Sequence, residues 1–318
     1  MEEGFHGSPT RQRGTVDAAD CIETPVYLST SPMNIDSHQH FWSYSATDYP
    51  WIGAGMERLA RDYLPVDIKA PATAAGIGGT VAVQARQTLK ETRWLLQLAE
   101  HHPLIRGVVG WVDLRSTDIG DQLDEFVARK KFVGVRHVVQ DETDPRFLLG
   151  AEFVRGLRQL APLGLTYDLL LYPQQLSAAV ELVASLPGQP FVLDHLAKPQ
   201  IATWTKPGDM DPWRHDIAAL AKHKNVCCKL SGMVTEAVWR QWRPADFAAY
   251  LDVALAAFGP GRLMFGSDWP VCLLSADYAE VAGIVRDLCA TLSVAEQTAI
   301  WGGTATRFYG LDRASPSL

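Results

Sequence analysis

Eight short apolar runs, each followed by a helix-like stretch, constrain this chain more than any other feature of it. They fall at 35–40, 79–84, 105–112, 132–137, 164–171, 190–195, 226–231 and 262–268, at intervals of roughly 30 residues. Strands covered on both faces read as continuous apolar runs, and these do. The segments between them carry helical patterning. In 91–101, for example, Trp94, Leu95, Leu98 and Ala99 share one side. Further helices are expected over 65–75, 121–130, 144–162, 174–186, 213–222, 245–258 and 277–292, with two shorter ones over 295–309. Strand–helix alternation requires crossover connections and so parallel pairing. Eight such units predict a single α/β domain, a (β/α)8 barrel. The chain's 318 residues, 47% of them hydrophobic, are enough for its core. An open doubly wound sheet is the structural rival. It would carry a glycine-rich turn after the first strand, where this chain has Ser37-His38-Gln39-His40.

A barrel brings the C-terminal ends of its strands to one mouth. Here those ends collect His38, His40, Gln84, Arg136, His137, Asp168, His195 and Asp268. Residues i and i+2 of a strand face the same way, so His38 and His40 can aim at one point. Asp268, at the end of the last strand, would lie opposite them. Two chemistries suit this set. His38, His40, His195 and Asp268 can hold one divalent ion, zinc being the natural choice, with an open position for water. Without a metal, the three histidines can polarise a carbonyl directly. In both cases Asp268 is the expected general base. Its structural alternative is an N-cap, and that of His195 is a hydrogen-bonded core histidine.

Arg136 offers a planar fork for a carboxylate or sugar hydroxyls, or else an ion pair with a strand-end acid. His137 alternates with it and is expected to face outward. Trp42, Trp51 and the other aromatics of 41–52 suit one wall of a pocket, or a cap on the barrel. Lys198, just past the sixth strand, either reaches substrate or caps the mouth.

The remaining features exclude other classes. The net charge is −7 and the Lys and Arg residues are dispersed, which argues against a nucleic-acid surface. No apolar run approaches a membrane span. Five cysteines without a Cys-x-x-Cys suit reduced, buried thiols of a cytoplasmic enzyme. Residues 1–32 are polar, proline-containing and aperiodic, and lack the apolar stretch of a secretory signal. They are expected to form a mobile extension, with Met33 the natural or ancestral start and 33–318 the barrel.

These motifs resemble the amidohydrolase superfamily, and within it the barrel branch of sugar-acid lactonases and 2-pyrone-4,6-dicarboxylate lactonase. The resemblance rests on Asp36-Ser37-His38-Gln39-His40-Phe41-Trp42, Asp48-Tyr49-Pro50-Trp51, Val83-Gln84-Ala85 and Gly134-Val135-Arg136-His137. It continues through Leu193-Asp194-His195-Leu196-Ala197-Lys198-Pro199, Cys228-Lys229-Leu230-Ser231-Gly232 and Phe265-Gly266-Ser267-Asp268-Trp269-Pro270-Val271-Cys272. It implies hydrolysis of a small-molecule sugar lactone, L-fucono-1,5-lactone or a related aldonolactone, in carbohydrate catabolism. It also implies that Asp268, His38, His40 and His195 are catalytic, and that Arg136, Gln84, Trp42, Trp51, Lys198 and Asp168 contact substrate. Binuclear members of the superfamily carry a bridging carboxylated lysine on the fourth strand. Here that strand ends in Arg136-His137, so at most one metal ion is expected. The branch includes members that work without metal. The alternatives are a metal-dependent decarboxylase and a lactonase for a dicarboxylate lactone.

Overall fold

The computed structural model describes Met1 and residues 33–312. The expected extension over 1–32 therefore lies, but for Met1, outside the described residues. The remainder forms the predicted (β/α)8 barrel. Its strands are β1 (Ile35–Gln39), β2 (Gly79–Val83), β3 (Ile105–Gly110), β4 (Phe132–Val138), β5 (Thr166–Leu170), β6 (Phe191–Leu193), β7 (Val226–Leu230) and β8 (Leu263–Phe265). All neighbours pair in parallel, in chain order. Val108, Val135, Leu169, Leu193, Leu230 and Phe265 are fully buried, as strands sandwiched between a filled barrel and a helical coat require.

Side-chain caps fix several helix starts. Thr88 accepts from the Glu91 N–H at the head of Leu89–His101, and Asp277 and Glu280 form a reciprocal capping box at Tyr278–Cys289. One expectation needs correction. The single helix over 144–162 is a short α-helix, Ala151–Leu157, flanked by 3-10 turns at Phe147–Leu149 and Ala161–Leu163. Gly150 precedes the α-helix, Pro162 lies in the last turn, and Gly164 closes that turn at φ 71°, a left-handed conformation open to glycine. The tail holds the two short helices expected, Val294–Thr298 and Thr304–Tyr309, joined by a π-turn at Ala299–Gly303. A Cβ on Gly302 would lie 2.1 Å from the Met33 carbonyl oxygen, so only glycine lets this run press against the start of β1. From there the Tyr309 hydroxyl reaches into the barrel and donates to Asp168, 3.0 Å away.

The barrel closes between β1 and the segment following β8. Asp268 N–H donates to His38 O (2.8 Å), and His40 N–H to Trp269 O (2.7 Å). Beneath them the fully buried Asp36 carboxylate accepts from Ser267 N–H (2.9 Å), Ser267 Oγ (2.6 Å), Tyr278 OH (2.8 Å) and His38 N–H (3.1 Å). This one carboxylate joins the two ends of the sheet, and its loss strands several buried donors. Asp36→Ala is expected to destabilise the protein by roughly 3 kcal/mol, and Tyr278→Phe by about 1 kcal/mol. Urea unfolding checks both values, and equal effects would show that Asp36 is not the hub.

Candidate active site

The mouth brings His38, His40, His195 and Asp268 together. His40 Nδ1 lies 2.8 Å from the Val83 carbonyl oxygen, which can only accept, so Nδ1 carries the proton and Nε2 presents its lone pair to the mouth. The Asp268 Oδ1 atom lies 3.4 Å from His40 Nε2 and 3.8 Å from the Nε2 atoms of both His38 and His195. His195 Nδ1 is 2.9 Å from Ser231 Oγ. The Asp268 carboxylate faces the histidines and caps no helix.

Two of these residues have unusual backbones. Asp268 has φ 56°, and His195, Leu196, Ala197 and Lys198 form a left-handed turn with φ between 49° and 58°. Such a run of non-glycine residues costs roughly 1–2 kcal/mol each. The turn is held by Lys198 N–H donating to His195 O (2.7 Å) and by the Trp213 indole N–H donating to Leu196 O (2.8 Å). Gly232 lies directly against the His195 ring, where a Cβ would come within 2.5 Å of Nδ1.

Burial acts to raise the Asp268 carboxyl, but His195, His40 and His38 around it hold it well below the carboxylate range. Burial pushes the His195 imidazole down to about 4, against the pull of Asp268. Burial, then Lys229, likewise keeps His38 neutral. An ionised carboxylate among neutral imidazoles is the donor set a divalent cation takes. The ligand atoms of His38, His40 and Asp268 all lie within 4.8 Å of one another, as do those of His38, Asp194 and His195.

His40, His195 and Asp268 form the floor of a cavity of ≈ 670 Å³, and His38 lies fully buried beneath them. Gln84, Arg136, Trp51 and Lys198 line it. Arg136 faces inward, with both terminal nitrogens engaged: Nη1 to Asp194 Oδ2 (3.1 Å), and Nη2 to Gln84 Oε1 (2.9 Å) and to the Gln84 carbonyl; its buried Nε has no partner among the described residues. Trp42 and Asp168, expected to touch substrate, do not line the cavity. Trp42 is fully buried, with its indole N–H donating to Arg61 O (2.9 Å) and its ring edge-on to Trp51. Asp168 lies below the floor, bound to Lys229 and Tyr309. His137 faces outward as expected, bound to Glu142 and stacked on Phe147.

Three residues were not singled out from sequence. Lys229, fully buried and next to last in β7, has Nζ bound to Asp168, 3.0 Å from Asp194 Oδ1 and 3.1 Å from His38 Nδ1. Asp194 pairs with both Lys229 and Arg136. A charged residue inside an apolar strand was the available signal for Lys229. Glu91 is buried behind the cavity wall, accepting from the N–H groups of Ala85 and Arg86 and from Tyr49 OH. Nothing in the helical pattern around it signals that role.

The matched family model is Amidohydrolase, over residues 35–311. The chain belongs to the amidohydrolase family. It is 46% identical over 286 residues to an L-fucono-1,5-lactonase of Burkholderia multivorans, a match covering 88% of this chain and 96% of that one. It is 33% identical over 285 residues to an L-fucono-1,5-lactonase of Burkholderia ambifaria, covering 88% and 97%. A solved amidohydrolase from Burkholderia multivorans with bound zinc superposes with TM-score 0.84 at 46% identity, covering 87% of this chain and 99% of that one. Among the described residues of this amidohydrolase, no helix is long and apolar enough to cross a membrane.

Two predictions follow from the buried charges. Lys229→Met leaves two acids under-compensated and is expected to cost roughly 3–5 kcal/mol, while adding Asp168→Asn restores more than half of that. Denaturant unfolding of the single and double variants checks it, and equal stabilities would refute the charge balance. Burial pushes the Glu91 carboxyl up to about 7. The folded state therefore binds more protons than the unfolded chain between about pH 4.5 and 7, and stability falls as pH rises through that window. Glu91→Gln is expected to reduce the fall, measured as unfolding midpoints across the same pH range.

Proposed function

We propose that this protein hydrolyses a sugar-acid lactone, L-fucono-1,5-lactone or a closely related aldonolactone, to the aldonate. The observation that carries the proposal is the Asp268 carboxylate set among the imidazoles of His38, His40 and His195, with His40, His195 and Asp268 on the floor of a ligand-sized cavity. The identity to two L-fucono-1,5-lactonases supports the substrate class.

In this reading the lactone carbonyl lies over the histidines and water lies beside Asp268. Asp268 takes a proton from the water as its oxygen bonds to the carbonyl carbon. His38 and His195 line the region where charge develops on the carbonyl oxygen. Collapse of the tetrahedral adduct breaks the bond to the ring oxygen, and Asp268 returns its proton to that oxygen. The new carboxylic acid ionises, so one proton is released per turnover. Trp51 and Gln84 flank the ring, and Arg136 steadies the floor through Asp194 and Gln84.

A single zinc ion fits the same residues, because the lone pair on His40 Nε2 and the ionised Asp268 point to one place. His38, His40, His195 and Asp268 would hold it, and it would supply Lewis acidity and a more acidic water. The partner is a small molecule, and a cytoplasmic location accords with the cysteine usage. Decarboxylation and opening of a dicarboxylate lactone have no comparable support.

Acid release from a panel of aldono-1,4- and 1,5-lactones tests the reading. Rapid turnover of the L-fucono series is expected, with Asp268→Asn lowering kcat about 1,000-fold. Release no faster than spontaneous hydrolysis across the panel would overturn it, and full activity in Asp268→Asn would overturn the role of Asp268.

A further inference from the structure

We propose that Glu236 and Lys198 form a clamp that reads ring hydroxyls of the lactone and selects a neutral polyhydroxylated substrate over an anionic one. The inference rests on the lactonase reading and adds to it the basis of substrate choice.

Both residues line the cavity that His40, His195 and Asp268 floor. Their side chains are about one-fifth exposed, and Lys198 Nζ lies 3.4 Å from Glu236 Oε1. The cations Arg86 and Arg136 of the same lining are closely paired, with Asp48 at 2.6 Å and Asp194 at 3.1 Å, and Asp141 accepts from Gln140 Nε2 (3.2 Å). Glu236 and Lys198 differ. Among the described residues neither side chain makes a hydrogen bond to protein beyond this loose ion pair, and Lys198 also stands 5.6 Å over the Tyr172 ring. A carboxylate offers several acceptor positions and an ammonium three donors. Most of theirs are left to whatever fills the cavity.

The fold nevertheless holds the main chain of both residues in place. Glu236 ends a short helix, Met233–Glu236, that starts at Gly232 against the His195 ring. Thr235 Oγ1 donates to Gly232 O (2.9 Å), Trp239 Nε1 to Thr235 O (3.0 Å), and Ala202 N–H to Glu236 O (2.9 Å). Lys198 is the last residue of the left-handed turn that begins at His195. The two elements that shape the floor therefore also deliver the clamp.

A hydroxyl is at once donor and acceptor. One ring hydroxyl can donate to Glu236 and accept from Lys198, and a vicinal pair can bridge them. Charge-assisted bonds of this kind discriminate strongly, because an analogue lacking the hydroxyl leaves desolvated charges unmet. A substrate carboxylate in the same place would face Glu236 and be repelled.

The test compares kcat and KM of the full-length protein and its Glu236→Ala, Glu236→Gln and Lys198→Met variants. The substrates are an aldono-1,5-lactone, its monodeoxy analogues, and δ-valerolactone, which has no ring hydroxyl. Glu236→Ala is expected to lower kcat/KM on the aldonolactone roughly 50-fold, mostly through KM. At least one monodeoxy analogue should be slow with the wild-type protein and change by no more than about twofold on the same substitution, as a shared interaction requires. Glu236→Gln, equal in shape, carries the comparison should Glu236→Ala fail to fold. Wild-type protein that turns over every monodeoxy analogue as fast as the parent overturns the clamp whatever the variants do. An equal loss on δ-valerolactone also overturns it, since a merely structural role would act on all substrates alike. Wild-type protein inert towards every aldonolactone overturns the lactonase reading itself, a failure visible before any substitution is made.

Discussion

The charge balance around Lys229 is the constraint on which the interior depends. A barrel core is normally filled with branched aliphatic side chains. Here an ammonium, a guanidinium and two carboxylates occupy it together: Lys229 with Asp168 and Asp194, and Arg136 with Asp194. Each ion would be costly alone, and the set is tolerable because every charge meets an opposite one. It forms a polar column from Tyr309, on the C-terminal helix, to His38 at the mouth. His38 is held from below by this column, which gives the buried charges a reason to be there that packing alone does not.

Local conformational cost is concentrated at the same end of the barrel. Asp268 and the turn from His195 to Lys198 occupy left-handed backbone that side-chain-bearing residues avoid. The surrounding bonds from Trp213 and within the turn hold the arrangement. The direction in which the carboxylate and the imidazole point is thus fixed by the main chain rather than by a choice of rotamer, which suits groups that must meet a reacting centre within a fraction of an ångström.

Much of this was legible in the sequence. Apolar runs at a regular interval specified the barrel, and strand-end position brought His38, His40, His195 and Asp268 together from three distant segments. The same rule reached its limit one layer down. Asp194 sits beside His195 and Lys229 lies within a strand, yet which charges pair depends on side chains crossing the barrel, and periodicity carries no record of that. Asp168 was grouped with the mouth, yet it is the middle residue of β5, two positions short of the strand end, and so lies below the floor. Trp42 belonged to an aromatic segment whose outer member, Trp51, alone faces the cavity among the two. Glu236 sits on a helix of four residues, too short to show a helical period.

The closing seam has a consequence in time as well as in space. The bonds that complete the barrel join residues more than 220 positions apart, as Ser37 Oγ to the Phe265 carbonyl illustrates. The same seam carries His38, His40 and Asp268. A chain emerging from the ribosome holds two of the histidines from the start, but their carboxylate partner arrives only with the last strand. No partial barrel can offer the full site, so synthesis of β8 and the segment after it is what turns a scaffold into a reactive one. Long-range closure of this kind is also the slow step expected of such topologies. The acquisition of chemistry and the completion of the fold are one event.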